Sequence, residues 1–273
     1  MKNLNIDFKW IGASTWILKV GDLKIACDPI LCDINTIIDL KFFKAKRRTK
    51  PQFVNSDFDT IDIWLLTHNH ADHIDELGMS KISSSSKVYS HKNLKPWFTN
   101  RSLENVSFMN WTDKIHTNSN GYEIEIEAIT CVHGSNYISA ILCGGVNGYW
   151  IKIRKDGQSL EIYVTGDTIN HSKMKKHIKG RKADILIPNM GGGGLDKFGG
   201  PFSYTADLLK DTVTITRPTV ILPVHHTSFS LFKEPIEELY KWNDDRIIEF
   251  GEGQTINLQE HIFKNNTGFT SKI

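Results

Sequence analysis

Short apolar runs separated by polar turns dominate the first half of the chain, and four such runs along its length stop on residues able to bind a metal. Ile61-Asp62-Ile63-Trp64-Leu65-Leu66, rich in β-branched and aromatic residues, reads as a buried strand that delivers His68. Ala128 to Val132 runs into His133, Glu161 to Gly166 into Asp167, and Thr219 to Val224 into His225. A helix is expected to start near Asp75. Later strands alternate with helix-like segments at about 203–215, striped by Ala206, Leu209 and Val213, and at about 233–243, striped by Ile236, Leu239 and Tyr240. This order fits a sheet sandwich with outer helices.

A weak internal echo runs through the pattern. Asp22 to Asp28 is a short apolar strand ending in an acid and Ile61 to His68 one ending in a ligand type; Leu160 to Asp167 and Asp184 to Asn189 repeat that order. Asp28 therefore holds in the first half the place that Asp167 holds in the second. There it would accept the free ring N–H of a ligating histidine and fix its tautomer, or else simply begin the Asp28-Pro29 turn. Gly191 to Gly194 and Gly199-Gly200-Pro201 bracket a loop that either lines a pocket, with backbone N–H groups offered to an anion, or permits a tight reversal.

Composition narrows the class without naming a reaction. The 273 residues carry a net charge of +2 and 40% hydrophobic side chains, ordinary for a globular chain long enough to bury a large core. A single domain over 1–273 is expected. Asp7 and Lys9 interrupt any signal-like start, and no stretch approaches the ~18 apolar residues of a membrane span, so the cytoplasm is the expected location. Cys27, Cys32, Cys131 and Cys143 form no C-x-x-C pair and are too sparse for a disulfide scaffold.

The densest chemistry lies in Thr67-His68-Asn69-His70-Ala71-Asp72-His73. His68 and His70, two apart, share a face if the chain is extended, while Asp72 and His73 follow as it turns. One ion could not easily take all four, so the run reads as half of a two-metal site. Its spacing differs from the helical H-E-x-x-H, whose histidines are four apart. Of the eleven histidines, His91, His116, His171, His177 and His261 are expected to serve packing or solvent, with His91 and His171 also able to line a pocket.

H-N-H-A-D-H, the Gly166-Asp167-Thr168 turn and Pro223-Val224-His225 resemble the metallo-β-lactamase-fold hydrolase superfamily. The branch resembled includes N-acyl-phosphatidylethanolamine-hydrolysing phospholipase D and L-ascorbate-6-phosphate lactonase, and the likeness extends over roughly residues 8 to 255. It implies an α/β fold, a four-layer αββα sandwich of two mixed β-sheets flanked by helices. It also implies two divalent ions, zinc first, with manganese or iron as alternatives. His68, His70 and His133 would hold one ion, Asp72, His73 and His225 the other, and Asp167 would bridge them. Asp72 and Asp167 would be catalytic.

The expected activity is metal-dependent hydrolysis, by a water activated between two ions, of a small anionic ester, a phosphodiester or a phosphorylated lactone. The alternatives are a weakly active or inactive metal-binding relative that binds nucleic acid or a partner, which the intact ligand set disfavours, and oxygen-reducing di-iron chemistry, which His70 and the missing flavin domain disfavour. Two departures from the branch are His226 after His225 and Gly134 after His133. His226 is expected to contact substrate. So are Arg47 and Arg48, in a basic segment from Lys41 to Pro51 with Phe42 and Phe43, expected as a mobile rim that attracts anions.

Overall fold

A computed structural model describes residues 4–40, 43–135, 140–141, 143–194 and 200–263. The strands are β1 (Ile6–Gly12), β2 (Thr15–Val20), β3 (Leu23–Cys27), β4 (Ile37–Asp39), β5 (Lys44–Lys46), β6 (Ile63–Leu66), β7 (Lys87–His91) and β8 (Val106–Met109). There follow β9 (Lys114–Ser119), β10 (Tyr122–Thr130), β11 (Asn147–Lys155), β12 (Gln158–Val164), β13 (Ile185–Ile187), β14 (Val220–Ile221) and β15 (Thr255–Asn257). The described α-helices are α1 (Glu76–Met79), α2 (Lys95–Phe98), α3 (Ser172–Ile178), α4 (Ala206–Thr216), α5 (Glu237–Tyr240) and α6 (Gln259–Phe263).

One sheet runs in the order β15-β1-β2-β3-β6-β7-β8 and the other β14-β13-β12-β11-β10-β9. Each joins an antiparallel meander to parallel strands. The switch falls at β3 and β6 in the first sheet, and at β12 and β13 in the second. These four strands are the ones that the sequence echo pairs. The loops after β6, β12 and β14, which bear His68, Asp167 and His225, follow strands with a parallel neighbour, whose ends consecutive crossovers leave on one rim, whereas His133 follows β10 of the antiparallel meander.

The core explains the layers. Phe8, Trp16, Leu18, Ile25, Ile63 and Leu65 of the first sheet pack on Ile124, Ile126, Ile151, Ile162, Ile185 and Ile187 of the second. On the far side of the second sheet, Met174, Leu209, Val213 and Leu239 bring α3, α4 and α5 against it; beyond the first sheet lie Met79, Ile82 and Leu94. The result is the expected αββα sandwich.

Helix α4 buries Ala206, Leu209 and Val213 as the stripe predicts, capped by Thr205, whose hydroxyl accepts from Leu208 N (3.2 Å). The predicted helix at 233–243 shrinks to Glu237–Tyr240. Pro235 disfavours helical backbone at Glu234, whose carboxylate instead accepts from Ala206 N (2.6 Å).

Candidate metal centre

Strand β6 is buried along its length and ends where Asn147 of the second sheet donates to Thr67 O (3.1 Å), so the loop that follows lies between the sheets. His73 N and Ile74 N both donate to His70 O, turning the chain toward α1. Asp75 then caps α1 by accepting from Gly78 N (2.6 Å) and also accepts from Leu31 N (3.0 Å), which ties the loop after Asp28 to the loop of ligands. Gly78 permits this approach. A Cβ there would stand 1.7 Å from Pro29 O.

Two donor sets form on this rim. His68, His70 and His133 make the first, with His70 Nδ1 3.0 Å from His68 Nε2 and 3.1 Å from His133 Nε2. Asp72, His73, Asp167 and His225 make the second. His73 Nε2 lies 3.3 Å from Asp167 Oδ2, and His225 Nε2 lies 3.5 Å from Asp72 Oδ2 and 3.7 Å from Asp167 Oδ1. Four donors at ~2.0–2.2 Å from one ion stand roughly 3.3–3.6 Å apart in a tetrahedron. Asp167 Oδ2 is also 3.9 Å from His133 Nε2, so the carboxylate faces both sets.

Hydrogen bonds behind the rings select their tautomers. His133 Nδ1 donates to Phe202 O (2.6 Å), His225 Nδ1 to Met190 O (3.3 Å) and His73 Nδ1 to Asp28 Oδ2 (2.7 Å). Carbonyl and carboxylate oxygens only accept, so each Nδ1 carries the proton. Thr67 spends its hydroxyl proton on Asp28 Oδ2 (2.6 Å), which assigns the contact at 3.0 Å to a donation from His68 Nδ1 to Thr67 Oγ1. Nε2 of His68 and His133 is then left bare toward His70. That ring can offer a proton to one neighbour, and the other contact sets lone pairs face to face until a cation enters.

Charge completes the picture. Burial, reinforced by His73 and His70, holds the His68 pKa well below the ordinary value; burial takes His70 to about 3 and lowers His133. Burial also pushes His73 down, but Asp167, Asp72 and Asp28 outweigh it and hold its pKa well above the usual range. Asp72 and Asp167 remain ionised, because neighbouring His73 and His225 overcome a desolvation that would raise them. Nε2 of His73 and His225 and Oδ1 of Asp72 are buried without a hydrogen-bond partner, a costly arrangement that a bound cation would relieve. The donor atoms fit two divalent ions.

The structure thus brings His68, His70, Asp72, His73, His133, Asp167 and His225 together, with Asp28 directly behind. Asp28 and His225 adopt left-handed backbone (φ 38° and 63°), which sharpens the turns that aim them. The left-handed turn at His225 directs His226 away from the donor sets. The ring of His226 packs on Trp10 (4.6 Å) and lines a separate cleft of about 540 Å³ with Thr49, Tyr240, Phe250 and Glu252, to which none of the seven donors contributes.

Arg47 is corrected. It is fully buried, donating to Thr49 O (3.1 Å) and Ile30 O (3.2 Å) over the ring of Phe229, because alternation along β5 turns Ala45 and Arg47 inward and Lys44, Lys46 and Arg48 outward. Of that basic segment, Arg48 remains exposed; Lys41 and Phe42 lie outside the described residues, as does Gly199 of the glycine-rich loop. His171 and His91 cap short helices by accepting from Lys173 N and Asn93 N, and His177 pairs with Glu127.

Sequence reasoning passed over several supports. Thr67 stood in plain view inside the motif. Asn189, at the end of an echoed strand, donates to Asp167 Oδ1 (2.8 Å), and only its strand-end position signalled it. The carbonyls of Phe202 and Met190 could not be foreseen, since any residue supplies one.

The model of the family described as Beta-lactamase superfamily domain matches residues 7–225. A UPF0173 metal-dependent hydrolase of Caldivirga maquilingensis is 22% identical over 257 residues, covering 92% of this chain and 97% of the relative. N-acyl-phosphatidylethanolamine-hydrolyzing phospholipase D 1 of Caenorhabditis elegans is 23% identical over 167 residues, 58% of this chain and 46% of that protein. Among solved structures, a possible metal-dependent hydrolase from Veillonella parvula aligns with a TM-score of 0.77 at 17% identity, covering 93% of this chain and 99% of the other. An isothiocyanate hydrolase from Delia radicum gut bacteria aligns at 0.76 and 20%, covering 92% and 98%.

Proposed function

The chain belongs to the β-lactamase superfamily, and from that premise we propose that this metal-dependent hydrolase cleaves a small anionic ester, a phosphodiester or a phosphorylated lactone, with two divalent ions held by its seven donors. The observation that carries the reading is the convergence of five imidazoles and two carboxylates in adjacent sets, with Asp167 facing both. Zinc suits sets of three or four nitrogen and oxygen donors, with manganese and iron as alternatives. When bound, such a pair of ions lowers the pKa of a water and offsets the charge that develops on oxygen during attack on phosphorus or a carbonyl.

The chain's own residues divide the remaining work. Asp167 holds the two sets in register. Asp72 has one oxygen toward His225 and the other without a partner, a position from which it can orient the attacking water. The β4–β5 hairpin exposes Lys44 and Lys46, and Arg48 follows; Ala45 of the hairpin shares an apolar cluster with Phe232, whose ring lies tilted against His225 (4.3 Å between centroids), and with Ala71 beside Asp72. Cations on that flank favour an anionic substrate. The likeness to a phospholipase D supports a phosphodiester among the candidates.

Metal analysis of purified protein, followed by a panel of phosphodiesters, phosphorylated lactones, neutral esters and β-lactams, tests the proposal. Chelator-sensitive turnover of an anionic ester, lost in His68→Ala, is the expected result. Protein that carries two ions yet cleaves no anionic ester sinks the substrate class. Turnover that survives both chelation and His68→Ala sinks the mechanism.

A further inference from the structure

Asn189 is buried and stands just beyond β13, where the second sheet meets the metal centre. Its Nδ2 donates to Asp167 Oδ1 at 2.8 Å; an ionised carboxylate only accepts, which fixes the orientation of the amide. The residue is anchored through its backbone as well. Its N–H donates to Thr165 Oγ1 (3.0 Å), its carbonyl accepts from Tyr204 N (3.0 Å), and it forms a parallel bridge with Val224.

The two oxygens of Asp167 therefore have different surroundings. Oδ2 lies between the sets, 3.3 Å from His73 Nε2 and 3.9 Å from His133 Nε2. Oδ1 is held by Asn189 and is 3.7 Å from His225 Nε2. We infer that Asn189 is the positioning residue that makes Asp167 a bridge: by holding Oδ1 it leaves Oδ2 as the oxygen shared between the two sets. Without that restraint the carboxylate is free to rotate and offer both oxygens to the set of Asp72, His73 and His225, abandoning the three histidines. The inference rests on the dinuclear reading and deepens it.

A competition titration of metal-free protein with Zn²⁺ against a chromophoric chelator tests it, since wild type should show two affinities. Asn189→Leu keeps the size of the side chain and removes the donor. It is expected to weaken the ion at His68, His70 and His133 by about 10- to 100-fold and the other by less than about threefold. In a His70→Ala background, which leaves only the Asp72 set intact, the same change should alter affinity by less than about twofold. The Co²⁺-substituted protein gives a second readout: the absorption of the three-histidine ion should shift as it loses a carboxylate.

Equal weakening of both ions, or of neither, overturns the inference and assigns Asn189 to the fold alone. If Asn189→Leu does not fold, Asn189→Ala is read by the same criteria, after thermal melting of the metal-free protein establishes that it is native. Wild type that takes up no ion removes the dinuclear reading together with the inference. Wild type with two ions beside an unaltered Asn189→Leu removes the inference only.

Discussion

Asp28 Oδ2 accepts the Nδ1 proton of His73 at 2.7 Å, with both side chains withdrawn from solvent. The same oxygen accepts the Thr67 hydroxyl at 2.6 Å, and Thr67 in turn accepts from His68 Nδ1 at 3.0 Å. One carboxylate thus stands behind both donor sets, reaching His73 directly and His68 through a hydroxyl.

Asp28→Asn tests that arrangement with little change of shape, because asparagine tolerates the left-handed backbone at this position (φ 38°). Affinity for both ions should fall by about 10- to 100-fold. Thr67→Val, which removes only the relay to His68, should weaken the three-histidine ion alone. Competition titration separates the outcomes, and an Asp28→Asn protein with both affinities intact would show that the carboxylate serves only the Asp28-Pro29 turn.

Metal uptake should depend on pH differently at the two sets. In metal-free protein His73 is held protonated by Asp167 and Asp72, its pKa raised, whereas His70 sits at about 3 and His68 and His133 are lowered, hence neutral at pH 7. An ion entering the Asp72 set displaces the His73 proton, so its affinity should weaken by up to about tenfold per unit as pH falls below that raised pKa. The three-histidine ion should show a flat profile at and above about pH 7, where lowered pKa values leave all three rings neutral. Calorimetry in buffers of contrasting ionisation enthalpy counts the protons; equal release at both sets would contradict the assignment.

Arg47 and Arg48, adjacent in sequence, should give opposite phenotypes. Arg47→Ala strips buried partners from Thr49 O and Ile30 O and should cost about 2–4 kcal/mol in urea denaturation. Arg48→Ala should change stability by less than about 0.5 kcal/mol while raising KM for an anionic substrate and leaving a neutral ester unaffected. A KM effect shared by both substrates would remove Arg48 from substrate recognition.

The positions that gather in the two donor sets were legible because each set of donors follows an apolar run whose burial requires no knowledge of the partner strand. Asp28 was legible through repetition. What escaped depended on local backbone or on distant carbonyls. The φ of 63° at His225 turns His226 toward Trp10, and nothing in Val224-His225-His226-Thr227 announces it. Arg47 was misread because a run of cations suggests a solvated loop, although the alternation from Lys44 to Arg48 already held the inward position. The contraction of the helix at 233–243 could have been read from Pro235.

Neither donor set can be completed within one sheet. His68 and His70 stand on the first and His133 follows a strand of the second; Asp72 and His73 likewise await Asp167 and His225. A chain emerging from synthesis would carry the first four of these long before it could present His225, and would meet a cation only as an open, partial chelate. Full affinity becomes available once the sheets have closed, so ion capture rewards the finished topology and gives little hold to half-built or mispaired forms.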